Sequence, residues 1–287
     1  MSYQLPTNVA DRPIVVLGAG TLGRRIALTH ATRGGSVRLY DLSEKQLHEA
    51  KRFIDDQLPT LLETRGSGSP ATIEYVTDLE NAVRNAWYIV ESIPEVPSLK
   101  IDVLGTVDTL AEPDAIIGTN SSSYASSELV AKVAHPERVL NTHYGQPPET
   151  RQLELMSDGH TDGRIFDLLK RELSAYGFVV AVAHVESVGF IVNRVWAAVK
   201  RESLAVVAQG VTTAEEFDNL WVAAGFGNTG IFRLIDQVGL DVALDIENHY
   251  LERFPHLPSD SRNLLEKYVQ QGKLGVKSGE GFYSDYT

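Results

Sequence analysis

The sequence Ile14-Val-Val-Leu-Gly-Ala-Gly-Thr-Leu-Gly23 joins a short apolar run to a glycine-rich turn, and an amphipathic stretch follows to about Arg33. This pattern predicts a β-strand, a tight turn and an α-helix. Gly18 permits the turn, Gly20 lets a diphosphate approach the backbone, and Gly23 lets the helix pack closely on the strand. The diphosphate would lie at the positive end of the helix dipole. By itself, such a glycine pattern also occurs in ordinary loops.

An acidic residue follows the second predicted strand. Asp41 comes directly after the next apolar run, residues 37–40, and stands 23 residues after Gly18. A carboxylate at this place accepts hydrogen bonds from the ribose 2′-hydroxyl of adenosine and repels the 2′-phosphate of NADP. Leu42 and Ser43 supply no arginine for that phosphate. The residues of this segment that we predict to bind NAD are Gly18, Gly20, Thr21, Leu22, Gly23 and Asp41.

Composition limits the class of protein. The chain has 287 residues, of which 43% are hydrophobic and 22% are charged, as in a folded protein with a large core. These values exclude disorder, collagen and coiled coil. Because there is no cysteine, disulfides, a thiolate nucleophile and cysteine-bound metals are excluded as well.

Charge argues against nucleic acid and membrane surfaces as partners. The 26 basic and 38 acidic residues give a net charge of −12, which repels phosphate backbones and anionic lipid. No run approaches the roughly 18 apolar residues of a membrane-spanning helix. The N-terminal segment before Ile14 has no apolar core and one arginine, so it resembles neither a secretory signal nor a transit peptide. We therefore expect a cytoplasmic protein that binds a small molecule.

The hydrophobic pattern changes along the chain at about residue 186. Before it, β-branched runs alternate with longer amphipathic stretches, which is a βαβ rhythm. The predicted strands cover residues 14–17, 37–40, 88–90, 115–118, 139–141 and 178–183. The predicted helices after residue 186 cover residues 190–210, 213–224, 231–238, 242–254 and 261–271. We predict an α/β fold: a Rossmann-type doubly wound parallel sheet over residues 1–186, followed by a smaller all-helical domain over residues 187–287.

Two polar clusters follow predicted strands. Residues 120–123, Asn-Ser-Ser-Ser, come after one strand, and His143 comes after the next, with Glu154 further along. Ligands of a doubly wound sheet bind beyond the carboxyl ends of its strands, so these side chains can face cofactor or substrate. A single histidine at a strand end is more often structural than catalytic. Hydride transfer needs a proton partner, however, and with the downstream carboxylate this makes His143 a candidate acid/base.

These motifs resemble those of the L-3-hydroxyacyl-CoA dehydrogenase family, including its L-gulonate 3-dehydrogenase/λ-crystallin branch. The resemblance extends from Val15 to Tyr283. The matching blocks are residues 18–23, residues 91–95 with Lys100, residues 120–123, the His143 segment, and residues 189–194, 236–241 and 273–283. The resemblance implies an NAD-dependent oxidoreductase for a 3-hydroxyacyl or 3-oxoacyl compound and a homodimer formed through the helical domain.

The resemblance also implies individual roles. The implied catalytic residues are His143, Glu154, Ser122 and Asn193, and the further cofactor contacts are Glu95, Lys100 and Asn120. His143 would be the acid/base and Glu154 its orienting carboxylate. Glu95 and Lys100 would contact the nicotinamide ribose. Ser122 and Asn193 would hold the substrate 3-oxygen or lie beside the nicotinamide.

Three departures from the family leave the substrate open. Gln146 stands where family members have asparagine before the proline, and the spacing from His143 to Glu154 is one residue shorter than usual. CoA-using members contact the CoA phosphates from the helix after Asp41, yet residues 43–65 contain four basic side chains against five acidic ones. The substrate is then either a 3-hydroxyacyl-CoA or a 3-oxo ester or sugar acid without CoA.

Other functional classes fit less well. Short-chain dehydrogenases need a tyrosine with a lysine four residues later, and none of the 11 tyrosines has one. The histidines form no H-x-x-x-H pair for a metal. A non-catalytic NAD-binding crystallin or sensor would keep the glycine turn and Asp41 without needing the four predicted catalytic residues, so their presence favours an enzyme.

Overall fold

The computed structural model describes residues 3–286. The chain divides between Ile191 and Val192 into two compact units, which are described separately below. The sequence placed the boundary between residues 186 and 187. The intervening residues form turns and not a helix, and they belong to the first unit because they contact its strands.

The first unit is built on an eight-stranded sheet with the order β3-β2-β1-β4-β5-β6-β7-β8. Its strands are β1 (Ile14–Leu17), β2 (Ser36–Tyr40), β3 (Thr72–Val76), β4 (Tyr88–Glu91), β5 (Ile116–Thr119), β6 (Val139–Tyr144), β7 (Gln152–Ser157) and β8 (Val179–Ala183). Its helices are α1 (Thr21–His30), α2 (Glu44–Arg65), α3 (Leu79–Val83), α4 (Pro97–Leu110) and α5 (Arg164–Ser174). Short 3-10 turns cover Val9–Asp11, Ser126–Glu128 and Pro136–Arg138.

The sheet confirms the predicted doubly wound fold and adds two strands that the prediction missed. Strands β1 to β6 are parallel, whereas β7 runs antiparallel to β6 and β8 runs parallel to β7. The connection from β6 to β7, residues 145–151, is too short for a crossover helix, so the chain returns as a hairpin. The edge strand β3 is half exposed and contains Glu74, which explains its weak apolar signal.

Both faces of the sheet are covered, which explains the uninterrupted apolar strands. In β1, Ile14 and Val16 belong to one buried cluster and Val15 and Leu17 to another. Alternate side chains of a strand point to opposite faces, so every residue of such a strand is buried. The first cluster contains residues of α1, α2 and α5, and the second contains residues of α3 and α4.

The second unit is helical, as predicted. Its helices are α6 (Val192–Ala208), α7 (Ala214–Ala223), α8 (Ile231–Val238), α9 (Leu240–Arg253) and α10 (Asp260–Gln270), with a 3-10 turn at Val276–Ser278. The predicted capping box at the start of α7 is present: the Thr213 hydroxyl accepts from the Glu216 backbone, and the Glu216 carboxylate accepts from the Thr213 backbone. Within residues 3–286, none of the helices has the length and hydropathy that crossing a bilayer requires.

A buried carboxylate in α8 holds the C-terminal segment. Asp236 accepts hydrogen bonds from the backbone N–H groups of Phe282 at 2.9 Å and Tyr283 at 3.0 Å, and from the Tyr286 hydroxyl at 2.8 Å. Burial raises the pKa of Asp236. A Cβ atom on Gly281 would lie 2.2 Å from the Asp236 carboxylate. Two sequence blocks far apart in the chain are thus parts of one packing interaction.

Candidate active site

The glycine turn between β1 and α1 has the shape that a diphosphate needs. Gly18 has φ +102°, and a Cβ atom there would lie 2.5 Å from the Ser92 carbonyl oxygen. At Gly23, a Cβ atom would lie 1.8 Å from the Gly18 carbonyl oxygen. At Gly20, by contrast, a Cβ atom would meet no described atom within 4 Å. Two glycines therefore allow close packing, and the third faces open space at the N-terminus of α1.

The N-terminus of α1 offers free N–H groups to that space. Among the described residues, no side chain caps it, since its N-cap position is Gly20. Uncapped N–H groups at a helix start, together with the helix dipole, bind phosphate oxygens. Thr21 is exposed and Leu22 is half-buried at this end. The arrangement fits the diphosphate of NAD.

Asp41 lies beside the glycine turn. Its Oδ2 accepts the backbone N–H of Ala19 and its Oδ1 accepts that of Ser43, both at 2.8 Å. These bonds hold the carboxylate in place at the carboxyl end of β2. A carboxylate has about four acceptor positions, so two remain for the hydroxyl groups of a ribose.

Glu95 and Lys100 belong to a charge network around the buried Lys100 ammonium. The Lys100 ammonium is 2.7 Å from Glu91 Oε1, 3.2 Å from the Ile93 carbonyl oxygen and 3.1 Å from Glu95 Oε2. These three contacts use all three donors of a lysine. The Thr119 hydroxyl donates to the second oxygen of Glu91 at 2.6 Å. The structure thus shows Lys100 holding two carboxylates, and its predicted ribose contact stays a prediction.

Glu95 organises the polar loop that follows β5. It accepts the Ser121 hydroxyl at 2.5 Å and the backbone N–H groups of Ser122 at 3.2 Å and Ser123 at 3.1 Å. Burial by itself would raise the pKa of Glu95, but the Ser121 hydrogen bond and the Lys100 charge outweigh it and lower the pKa. The side chain of Ser122 is left exposed. A serine loop is therefore fixed at the carboxyl edge of the sheet.

His143 and Glu154 face each other across the antiparallel strands. They are register partners in β6 and β7, and His143 Nδ1 is 2.9 Å from Glu154 Oε2. Both residues are buried, with 8% and 1% of their surfaces exposed. The structure thereby brings the predicted acid/base and its predicted carboxylate together. A histidine paired in this way keeps one tautomer, with a proton on Nδ1, and leaves Nε2 for proton exchange.

Tyr144, the last residue of β6, is anchored through both its backbone and its side chain. The Asn120 amide oxygen accepts the backbone N–H of Tyr144 at 2.8 Å. The Tyr144 hydroxyl is 3.0 Å from His30 Nε2 and 3.1 Å from the Tyr88 hydroxyl. Burial lowers the pKa of His30 to about 3, so this histidine is neutral at physiological pH. Asn120, predicted as a cofactor contact, supports the strand that carries His143.

Two family models together match almost the whole chain. The NAD binding domain model of 3-hydroxyacyl-CoA dehydrogenase matches residues 13–185, and the C-terminal domain model of the same enzyme matches residues 189–285. The chain belongs to the 3-hydroxyacyl-CoA dehydrogenase family. The resemblance drawn from the sequence motifs is confirmed, and so are NAD as cofactor and oxidoreductase as enzyme class.

Similar members of the 3-hydroxyacyl-CoA dehydrogenase family bear names that refer to different substrates. A 3-hydroxybutyryl-CoA dehydrogenase of Clostridioides difficile is 31% identical, over 96% of this chain and 99% of its own. A 5-formyl-3-hydroxy-2-methylpyridine 4-carboxylate 5-dehydrogenase of Mesorhizobium japonicum is 28% identical, over 95% and 90%. The solved structure of a diketoreductase described as acting on dicarbonyl compounds superposes with a TM-score of 0.81 at 28% identity, over 95% and 98%.

The roles of three members of the site escaped prediction from the sequence. Glu91 and Phe190 lie in the blocks that carry the family resemblance and had no predicted role, whereas Tyr144 was expected to reshape the acyl pocket and instead contacts His30 and Tyr88. A signal existed for Glu91, because an acid at the end of a fully buried strand needs a partner. No local pattern indicates that Phe190 contacts His143. Asn193, at the start of α6, belongs to the helical unit, and its predicted role stays a prediction.

A groove borders the loop that follows the His143 strand. Its volume is about 280 Å³, and it is lined by residues of α1, the end of α2, the loop at 147–151 and the segment 176–178. Arg65 and Arg151 line it, and Arg33 lies over the ring of Tyr176, 5.5 Å from its centroid. Burial and then the charges of the other two arginines lower the pKa of Arg65. Within the described residues no carboxylate pairs with these three arginines, although the chain as a whole is acidic.

Proposed function

We propose that this protein interconverts an L-3-hydroxyacyl-CoA and the corresponding 3-oxoacyl-CoA, with His143 as the acid/base. NAD, when bound, supplies the acceptor for the hydride that leaves C3 of the substrate. During oxidation of the hydroxyacyl compound, His143 Nε2 takes the proton of the C3 hydroxyl, and during reduction of the oxoacyl compound it returns that proton. The observation that carries the proposal is the His143–Glu154 pair at 2.9 Å.

Glu154 supports this proton transfer through both of its oxygens. Oε2 accepts from His143 Nδ1, and Oε1 accepts the backbone N–H of Ile191 at 2.8 Å. A carboxylate held in this way stabilises the imidazolium that forms when His143 takes the substrate proton. Ser122 and Asn193 are proposed to hold the substrate oxygen by hydrogen bonds as its charge changes.

The arginine groove supports CoA as the handle of the substrate. A CoA nucleotide carries several phosphate charges, and guanidinium groups bind phosphate oxygens in a bidentate manner. The groove is lined in part by residues 147–151, in the loop that follows the strand of His143. A CoA nucleotide there would contact Arg65 and Arg151.

The alternative is a 3-oxo ester or sugar acid without CoA. Its specific support is the outer face of α2, where Lys45 lies 3.9 Å from Glu49 and Lys51 lies 2.5 Å from Asp55. These lysines already have carboxylate partners. The names of the Mesorhizobium relative and of the diketoreductase show that the family includes substrates without CoA.

The test is turnover by purified protein and matched histidine variants. NADH oxidation is followed with acetoacetyl-CoA and with ethyl acetoacetate, and NAD reduction with L-gulonate. We expect acetoacetyl-CoA to be preferred and His143→Ala to lower its turnover by about 10²-fold or more, the usual contribution of a positioned acid/base. NADH affinity should be unchanged, and the exposed control His160→Ala should resemble the wild type. Turnover of His143→Ala near that of the wild type would refute the acid/base role, and a preference for the ester or L-gulonate would favour the alternative.

The homodimer and the cytoplasmic location stay predictions. The helical unit carries exposed apolar side chains on and after α7, among them Leu220 and Phe226, which are 68% and 71% exposed. A surface of this kind suits burial against a second copy of the chain. The mass of the protein in solution, measured by light scattering, tests the dimer.

A further inference from the structure

We infer that Phe190 is a positioning residue that sets the orientation of the His143 imidazole, an inference that rests on the proposed role of His143. The two rings are stacked, with centroids 4.7 Å apart and planes inclined by 16°. Phe190 is 3% exposed, so the contact is buried. One face of the imidazole is covered by this ring, which restricts rotation and tilting of the imidazole away from Glu154.

The backbone of Phe190 is held in an unfavourable conformation. Its φ is +55°, in the left-handed region that bulky residues rarely adopt, and the preceding Gly189 has φ +76°. Conformations of this kind persist where the surroundings enforce them, and they cluster at functional sites. This strained backbone conformation accompanies the placement of the aromatic ring over His143.

A tight turn attached to β7 enforces this conformation. The Phe190 N–H donates to the Ser187 carbonyl oxygen at 2.9 Å, and the Ser187 hydroxyl donates to the Phe190 carbonyl oxygen at 2.8 Å. The Ser187 N–H contacts Met156 Sδ at 3.2 Å, which ties the turn to the strand that carries Glu154. These contacts therefore fix the position of the Phe190 ring relative to β7.

The next peptide group contacts the other member of the pair. The Ile191 N–H donates to Glu154 Oε1, while Glu154 Oε2 faces His143 Nδ1. One short segment thus holds the imidazole through a ring and the carboxylate through an amide. Since a displacement of about 1 Å of a catalytic group can lower turnover by about 10²-fold, loss of the Phe190 ring should be seen in kcat.

The experiment compares three substitutions of Phe190. Phe190→Leu keeps an apolar side chain without the flat ring. Phe190→Gly also removes the ring, and because glycine readily adopts the left-handed conformation, this variant should fold even if Phe190→Leu does not. We expect both to lower kcat by about 10-fold to 100-fold, with KM and NADH affinity changed by less than about 3-fold. Phe190→Tyr keeps the ring and should retain kcat within about 3-fold. Phe166→Leu, which removes an aromatic ring of α5, is the matched control and should keep wild-type kcat.

A double-mutant cycle separates this inference from the proposed function. In the His143→Ala background, Phe190→Leu should cause no further loss, because no imidazole is left to position. An equal loss in both backgrounds would show that the ring acts elsewhere and would overturn the inference. Unchanged kcat in Phe190→Leu and Phe190→Gly would overturn it too, while leaving the role of His143 intact. High activity of His143→Ala alone would instead contradict the proposed function.

Discussion

At the scale of single residues, the polar side chains of the candidate site are held by partners within the protein. The Lys100 ammonium donates to Glu91, to Glu95 and to the carbonyl oxygen of Ile93. Glu154 is likewise bound through both oxygens, to His143 and to a backbone amide. Buried charges without such partners would be costly, so each network also fixes the position of its members. The candidate acid/base is therefore preorganised.

We expect Asp41 to discriminate between NAD and NADP. Asp41→Asn keeps the size of the side chain and one acceptor oxygen but removes the charge that repels a 2′-phosphate. Because two charges about 4 Å apart near a surface interact by roughly 1 to 4 kcal/mol, we expect the preference for NADH over NADPH to fall by about 10-fold or more. The ratio of kcat/KM values for the two cofactors measures this.

The control for Asp41 is the exposed acid Asp56 on α2. Asp56→Asn removes the same charge from the protein at a place where no cofactor contact is predicted, so the cofactor ratio should not change. If the two variants gave the same ratio as the wild type, Asp41 would not be the selective residue.

At the scale of elements, the hairpin of β6 and β7 brings the candidate acid/base His143 together with Glu154. In register, His143 lies opposite Glu154, and the two side chains point to the same face of the sheet. A shift of one residue would send one of the two to the opposite face. The shortened spacing between them is therefore compatible with the pairing, because the register and not the loop length brings them together.

The turn between β1 and α1 permits a prediction with two neighbouring glycines. A Cβ atom at Gly20 meets no described atom within 4 Å, so Gly20→Ala should fold normally but raise the Kd of NADH by about 10-fold or more, since the methyl group occupies the space of the diphosphate. At Gly23 a Cβ atom would lie 1.8 Å from a carbonyl oxygen, so Gly23→Ala should destabilise the protein by about 1 to 3 kcal/mol.

Thermal unfolding without cofactor and fluorescence titration with NADH distinguish these two effects. Gly20→Ala should keep the Tm of the wild type, and Gly23→Ala should lower it by several degrees. Wild-type NADH affinity in Gly20→Ala would mean that the diphosphate lies elsewhere.

At the scale of the whole molecule, an acidic protein carries a local cationic site. The net charge is −12, yet Arg65 and Arg151 line one groove, and Arg33 lies over the ring of Tyr176 at its edge. Such a patch attracts a polyanion while the remaining surface repels it, and this attraction weakens with salt. We therefore expect this groove to bind the phosphate-bearing part of the proposed CoA substrate and not its reacting end.

The groove predicts a difference between substrates with and without CoA. Arg65→Gln should raise KM for acetoacetyl-CoA by about 5-fold and leave KM for ethyl acetoacetate unchanged. A rise of about 5-fold corresponds to the loss of roughly 1 kcal/mol of charge interaction. KM for acetoacetyl-CoA should also rise with ionic strength more steeply in the wild type than in the variant. Arg171→Gln on α5 is the control, because that arginine is exposed and pairs with Glu172. Equal effects on both substrates would argue against a phosphate site at Arg65.

Local sequence patterns were enough to predict the fold class and the cofactor. The glycine turn, the apolar strands and the helical periodicity predicted the doubly wound sheet, the helical unit and NAD, because turn geometry and hydrophobic period act between neighbours in the chain. They failed at β3 and β7, where strands are half exposed or carry a buried acid.

The contacts between residues far apart in the chain could be seen only in the folded structure. The burial of Lys100 between two carboxylates, the stacking of Phe190 on His143, and the meeting of three arginines from positions 33, 65 and 151 have no local signature. Each depends on strand order, register and the path of a loop, which are properties of the packed sheet. The sequence alone determines the fold class, the cofactor and the identity of the acid/base candidate, whereas the geometry that would make His143 reactive and the surface that would select its substrate arise only when the strands pack.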